Sequence, residues 1–382
     1  MVLNSMALGH LRSTAEGHID AIARLAQRIC EVPAPTGQEL KRARLVAMLW
    51  QKRGYSAEID AIGNVYVRRG GSQKKAPQLL LMAHTDTVFP ASTPIVVKRH
   101  GDRLSGPGIG DNSVSVAVML HLFDLLDELD IKTPTDIIAV ANVGEEGLGN
   151  LLGARTAVER YRARLGAVIV IDGGIGHVTY GAVGSQRWRI TVRGPGGHSY
   201  GSFGAPSAIH GLSKIIAAIA DIQVPQGPKT TFNVGTIEGG TSVNTIAAEA
   251  SALLDIRSAD ARTLDQLARQ IRTVIEQQTG VGLQTEIEVV GERPAGERSL
   301  DDPLVLLAGE ALRWVGIEPR YGISSTDANI PISLNIPAVC VGVTQGENAH
   351  TLQEFLLVSP LGRGLAQVAR LCLEASLLLQ QS

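Results

Sequence analysis

Cysteine is scarce in this chain: Cys30, Cys340 and Cys372 are an odd number at wide spacing, with no Cys-x-x-Cys pair. That excludes a disulfide framework and fits reduced thiols in a cytoplasmic protein. Aromatic residues are few as well, 4% of the chain against 42 glycines, which speaks for Ala/Val/Leu/Ile packing and tight turns rather than stacking platforms for bases. Nor is there charge of one sign, since 35 Lys+Arg stand against 37 Asp+Glu for a formal net charge of -2. No global field draws the chain to nucleic acid or anionic lipid. The longest apolar runs are read as those such as 78–83 and 167–171, strand-sized and far short of the roughly 20 residues of a membrane helix, so no membrane-spanning segment is expected. The first eleven residues lack the basic start, apolar run and small-residue cleavage site of a secretory signal. A cytoplasmic protein with neither nucleic acid nor membrane as partner is expected.

What the chain does have is 44% hydrophobic residues over a length of 382, enough for one large core or two ordinary ones. Apolar residues recur at helical spacing over 14–30 (Ile19, Ile22, Ala23, Leu25, Ala26, Ile29) until Pro33-Ala34-Pro35 stops the pattern. A second helix is expected over 38–53, then strands within 56–69 joined by the Gly63-Asn64 turn. Strands 79–83, 137–142 and 167–171 then alternate with helices 114–129 and 151–164. Such alternation, with continuously apolar strands, predicts a mainly parallel sheet covered by helices on both faces. Beyond about 185 the order becomes strand 188–193, helix 207–222, strands 231–238 and 247–256, helix 263–280 and strand 284–290, the β-α-β-β-α-β order of a ferredoxin-like unit. Helix 303–315, strand 338–343 and a last helix 361–379 resume the first pattern. The expected architecture is α/β: a discontinuous domain of residues 1–184 and 294–382, with a ferredoxin-like α+β domain, 185–293, inserted into it.

In open α/β sheets ligands bind beyond the carboxyl ends of the strands. There the sequence places His84-Thr85-Asp86, Gly144-Glu145-Glu146-Gly147, Asp172-Gly173 and Ala349-His350, while the glycine-rich turn 106–110 delivers Asp111-Asn112-Ser113 ahead of a helix. Two histidines and five carboxylates thus converge on one sheet edge. Histidine and carboxylate without cysteine form the ligand set of a hard-to-borderline divalent metal, and a shared carboxylate can hold two ions about 3.5–4 Å apart. Asp86, two residues beyond His84 on the same side of an extended chain, is placed to hold that histidine's other ring nitrogen. Adjacent Glu145 and Glu146 must point different ways, so one can ligate metal while the other faces substrate as general base. Each feature has a plainer reading when taken singly: Asp111-Asn112-Ser113 as a helix N-cap, Glu145-Glu146 as solvated charge, Asp172 and His350 as turn residues. Their shared location favours the metal site. His10, His18, His100, His121, His177 and His210 lack this context and receive no role.

Over nearly the whole chain, His84-Thr85-Asp86, Gly110-Asp111-Asn112, Gly144-Glu145-Glu146-Gly147, Gly196-Gly197-His198-Ser199 and Ala349-His350-Thr351 resemble, in order and spacing, the di-zinc metallopeptidase family. That family includes peptidase T, acetylornithine deacetylase, succinyl-diaminopimelate desuccinylase, aminoacylase and glutamate carboxypeptidase. The resemblance implies that Asp111 bridges the metals, with His84 and Asp172 completing one site and Glu146 and His350 the other. It also implies Glu145 as the base, a cis peptide bond after Asp111, and an inserted domain that acts as lid and dimerisation surface. His198 is similar to the family histidine that stabilises the oxyanion, commonly from the partner subunit. Asn244 and Arg257 match family positions that bind a substrate carboxylate, a task suited to the planar fork of arginine; pairing of Arg257 with Asp255 or Asp260 is the alternative. The turn Ser325-Thr326-Asp327-Ala328 resembles a substrate-side turn near the metals, without a fixed role. Many deacylase members carry Lys-Gly shortly after the bridging Asp, whereas this chain has Asn112-Ser113-Val114-Ser115. With Asp rather than Glu at position 172, this leans toward the peptidase T-like side.

The expected protein is therefore a peptidase T-like aminopeptidase acting on small peptides. Two divalent ions, Zn2+ by default with Co2+ or Mn2+ also fitting the ligands, hold a water that gives its proton to Glu145 as it attacks the carbonyl. N-acyl-amino-acid deacylation and carboxypeptidase action are alternatives on the same metal centre. A catalytically silent binding protein is a remoter one, disfavoured by the retention of Glu145 and all five candidate ligands. A homodimer through the lid is expected.

Overall fold

The computed structural model describes residues 5–381; residues 1–4 and 382, the outermost of the expected discontinuous domain, lie outside them. The chain divides into two compact units, Met1–Ala182 with Glu297–Ser382, and Val183–Gly296.

In the first unit the strand order runs Ala57–Ile59, Val65–Arg69, Ile137–Asn142, Gln78–His84, Leu165–Ile171, Ala338–Val341 and His177–Ala182, with Arg320–Ser324 alongside the last. The four inner strands are parallel to one another, and antiparallel pairs flank them. Successive side chains of a strand face opposite ways. Leu79, Leu81 and Ala83 accordingly enter one core, and Leu80 and Met82 the other. Burial on both faces is why these strands read as unbroken apolar runs. Helices Ile19–Cys30, Val114–Glu128, Pro303–Trp314 and Leu361–Leu379 pack into the first core, Leu152–Tyr161 into the second.

Three features differ from the sequence expectation. The helix expected over 14–30 is two helices, Ser5–Gly17 and Ile19–Cys30. Gly17 weakens the junction, and the His18 ring is held by His121 and Glu128. Among the described residues, Ile109–Glu128 is the one helical run with the length and apolarity of a membrane span, longer than either strand run singled out above. It is buried on nearly every side as the central core helix. Finally, Lys98–His100, Arg103–Ser105, Phe355–Leu357 and Gly346–Glu347 form a small antiparallel sheet. Strands of two or three residues carry no readable periodicity, so the sequence pattern leaves this sheet out.

The second unit orders its strands Thr230–Gly239, Glu249–Ser258, Gly184–Arg193, Gln284–Arg293, each antiparallel to its neighbour. Helices Ala208–Ala220 and Ala261–Gln278 cover one face over Trp188, Ile190, Val192, Leu254 and Ile256, the ferredoxin-like arrangement. Asp260 caps the second helix by accepting from the Thr263 N–H at 2.8 Å.

Candidate metal centre

Register in the parallel sheet brings His84 level with Asn142, so the segments that follow leave the sheet at one edge. His84 ends its strand and is buried, 1% exposed. Its Nδ1–H donates to the Asp86 carbonyl at 3.1 Å, with Asp86 Oδ1 at 3.4 Å. That leaves the Nε2 lone pair facing Asp111 Oδ1 at 3.0 Å and Asp172 Oδ2 at 4.0 Å. The Asp86 carboxylate does something the sequence pattern did not indicate. It accepts the Glu145 N–H at 3.0 Å, the Glu146 N–H at 2.9 Å and the Thr36 hydroxyl at 2.9 Å. The turn that carries the two glutamates is thereby fastened to the strand end that carries His84.

Glu145 and Glu146 are both buried, which excludes solvated charge. No side-chain cap bond is formed at the start of helix Val114–Glu128, which likewise excludes the N-cap reading of Asp111-Asn112-Ser113. The Asp111–Asn112 peptide bond is cis, and Asn112 Nδ2 donates to the Ile171 carbonyl at 2.9 Å, next to Asp172. His350 sits at φ 65°, in the left-handed region that a histidine seldom occupies and that recurs at functional sites. Its Nε2 lies 2.9 Å from Glu146 Oε1 and 3.1 Å from Asp111 Oδ2.

Electrostatics records the crowding. Burial, then the Asp111 charge, pushes the Asp172 carboxyl up to about 7. Hydrogen bonding to Asp111, with Glu146 nearby, raises His350 to about 9. Burial also works to raise Asp111, but His350 and His84 together hold it well below the usual carboxylate range. Without a cation, this cluster keeps its carboxylates close together only by retaining protons on its neighbours.

The donors fit two cations. Ligand atoms of His84, Asp111 and Asp172 all lie within 4.8 Å of one another, as do those of Asp111, Glu146 and His350, and Asp111 belongs to both sets. Glu145 stands beside them, within the same distance of His84 and Glu146. His84 Nε2 and Asp111 Oδ1 are buried and adjacent yet make no aligned hydrogen bond; a cation between them would satisfy both. Nitrogen and oxygen donors alone suit divalent ions of the zinc, cobalt and manganese kind. A cavity of about 140 Å³ opens beside Asp111 and Asp172, lined also by Gly174, Glu347, Phe355 and Leu356.

Some supporting residues escaped sequence reasoning. Arg42, fully buried, donates to the carbonyls of Cys30, Val32 and Thr85 and so braces the residue after His84. Asp327, also buried, accepts from Asn142 Nδ2 at 2.7 Å, and its charge acts on Asp172. The sequence marks its Ser-Thr-Asp-Ala motif but carries no sign of this bond. Glu39 accepts the Gly144 N–H at 3.2 Å, and nothing in its sequence context marks it.

The remaining expected site residues belong to the second unit. His198 lies in the short strand Gly197–His198, paired with Thr245–Ile246. Its exposed ring accepts the N–H groups of Tyr200 and Gly201 at Nδ1, which leaves Nε2 to carry the ring proton as a donor. The Asn244 carbonyl accepts the Ser199 N–H, which joins this residue to the His198 turn. Arg257 donates from Nε to Asp255 at 2.6 Å, the ion pair weighed as its alternative use.

The fold and this cluster define a metal-dependent hydrolase with two divalent cations at the carboxyl edge of a parallel sheet. Residues 180–282 match the family profile described as a peptidase dimerisation domain, and residues 64–180 match peptidase family M28. The chain is 27% identical over 329 residues to the uncharacterized protein YqjE of Bacillus subtilis, covering 82% of this chain and 85% of that one. It is 25% identical over 381 residues to a succinyl-diaminopimelate desuccinylase of Nitrosospira multiformis, covering 93% and 98%. In structure it is similar to a tripeptidase of Staphylococcus aureus, with TM-score 0.79, 22% identity, and 94% and 98% of the two chains covered. These matches support the M20 metallopeptidase family that the motifs around Asp111 and Glu145 implied.

Proposed function

We propose that this enzyme releases the N-terminal residue of small peptides, and that His84, Asp111 and Asp172 hold one cation while Asp111, Glu146 and His350 hold the other. The observation that carries this reading is the pair of three-donor sets sharing Asp111, with buried Glu145 beside them. When bound, the ions, which we take to be Zn2+, supply Lewis acidity at the scissile carbonyl and lower the pKa of water. Glu145 takes the proton of that water and passes it to the leaving nitrogen. The Asp86 carbonyl holds the His84 Nδ1–H, which would leave Nε2 free to take a cation, and the Asp86 carboxylate fixes the Glu145 and Glu146 N–H groups so that both glutamates stay beside His84. His198 donates its Nε2–H to the oxyanion. Asn244 and Arg257 take the substrate carboxylate, which requires Arg257 to exchange Asp255 for the ligand.

We read residues 185–293 as lid and pairing surface of a homodimer, supported by the dimerisation-domain description of the matching profile. Three free thiols among the described residues support a reducing, cytoplasmic setting. The second reading, N-acyl-amino-acid deacylation, is favoured by the similarity to a desuccinylase over nearly full length.

A mixed panel of tripeptides, N-acetyl and N-succinyl amino acids, and C-terminal glutamate amides decides between them when incubated with metal-loaded enzyme and read by mass spectrometry. Release of N-terminal residues from tripeptides supports the aminopeptidase. Cleavage confined to acyl groups moves the assignment to the deacylases, and loss of C-terminal residues moves it to the carboxypeptidases.

A further inference from the structure

We propose that Glu354, outside both ligand sets, is a positioning residue that holds the Asp111 loop against the His350 turn and thereby sets the second cation site. The inference rests on the two-cation reading above. Glu354 is 1% exposed, and its carboxylate is wrapped by the glycine-rich turn. Oε2 accepts the Gly108 N–H at 2.8 Å, and Oε1 accepts the N–H groups of Gly110 at 2.7 Å and Asp111 at 2.9 Å. Backbone N–H groups converging on one carboxylate make an anion nest, and bonds of this charge-assisted kind are stronger than neutral ones. The main chain adds to the clasp: the Gly106 N–H donates to the Glu354 carbonyl at 2.9 Å, and Ser105 pairs with Phe355 in the small sheet.

The other end of the clasp is the His350 turn. Thr351 N–H donates to the Asn348 carbonyl and Glu354 N–H to the Thr351 carbonyl, so His350 and Glu354 sit in two successive tight turns joined at Thr351. Glu354 therefore links two ligands of the second site, Asp111 and His350. Neither lies in a strand of the inner sheet. The first site is braced differently, because His84 ends an inner strand and Asp172 directly follows one. Gly110 is part of the device: a Cβ there would meet Glu354 Oε1 at 3.2 Å, tight enough that the carboxylate must give by a few tenths of an ångström.

The test is calorimetric titration of the metal-free full-length protein with Zn2+, alongside absorption spectra of the Co2+-loaded form. The wild type is expected to take up two ions. Glu354→Gln keeps the size of the side chain but turns an amide NH2 toward backbone donors. It is expected to weaken the second binding step about 10–100-fold, the range seen for outer-shell partners. The first step, which shares Asp111 but keeps His84 and Asp172 at the ends of inner strands, should change less, and the spectrum of the second Co2+ should shift. A purely structural residue would not split the two steps, so equal weakening of both, or of neither, in a folded variant overturns the proposal. Should Glu354→Gln fail to fold, Gly110→Ala presses on the same carboxylate through a single methyl group. It must weaken the second step selectively, and an unchanged second step overturns the proposal. A wild-type protein that takes up fewer than two ions overturns the two-cation reading, and this inference with it.

Discussion

Asp86 has four bonding partners at the site, two of them the N–H groups that aim Glu145 and Glu146. Burial works to raise its carboxyl, but His84 and those N–H groups hold it below the usual range, so it stays an acceptor at neutral pH. Asp86→Ala strands the N–H donors in a dry interior. It is expected to weaken metal binding about 10–100-fold and to cost about 1–3 kcal/mol of stability. Metal titration and thermal melting measure both, and wild-type affinity in the variant would remove Asp86 from the support of the site. Glu145→Gln makes the opposite pattern: an isosteric change at a group outside both ligand sets. Turnover should fall about 100- to 10,000-fold, the usual worth of a general base, while two ions still bind. A variant that keeps full turnover would move the base elsewhere.

At the scale of elements, the contact of helices Ile19–Cys30 and Val114–Glu128 carries a pH dependence of its own. His18 Nδ1 and His121 Nδ1 lie 3.0 Å apart, with Glu128 bound to His18 and Asp124 3.4 Å from His121. Burial, then the charges of His18 and Arg53, pushes His121 down to about 3. Its folded pKa is below the unfolded value, so between these pH values the unfolded chain binds the extra proton. The stability from neutral His121 is complete above about pH 6.5 and declines toward pH 3, by at most about 1.4 kcal/mol per pH unit. Urea melts at pH 7.5 and 5 should lose more stability in the wild type than in His121→Leu; equal losses would clear His121.

The same helices mark what the sequence made legible. Long elements with one buried face stand out, and the last helix, Leu361–Leu379, lies where the periodicity places it because Pro360 opens it. The junction at His18 was hidden because apolar spacing on either side stays in phase. The ligand candidates were legible because each follows an apolar run or, for Asp111, a glycine-rich turn. Glu354 was not, since its partners are backbone N–H groups 243 to 246 positions away, and bonds to main chain impose no pattern on the distant sequence.

For the whole molecule, the insertion of one unit into the other makes the two separable by design of the chain. In the second unit Ser185 pairs with Arg293, so its two ends are neighbouring antiparallel strands. In the first, the Arg298 N–H donates to the Tyr180 carbonyl at 2.9 Å, so the chain leaves and returns at adjacent points. Each unit also has its own core, around Leu81 and Phe123 in one and around Trp188 and Ile190 in the other. A chain in which 183–296 is replaced by a short Gly-Ser linker is therefore expected to fold, because closing the gap requires little loop entropy, and to bind two ions with near wild-type affinity. It should lose at least about 100-fold in peptide hydrolysis, the cost of one missing oxyanion donor, since His198, Asn244 and Arg257 leave with the insert. Residues 183–296 alone should fold as well, and light scattering on that fragment reads whether it pairs. If the linker-closed chain folds but binds no metal, the ligand sets of Asp111 are incomplete without the insert. If it hydrolyses peptides at the full rate, His198 has no part in the reaction.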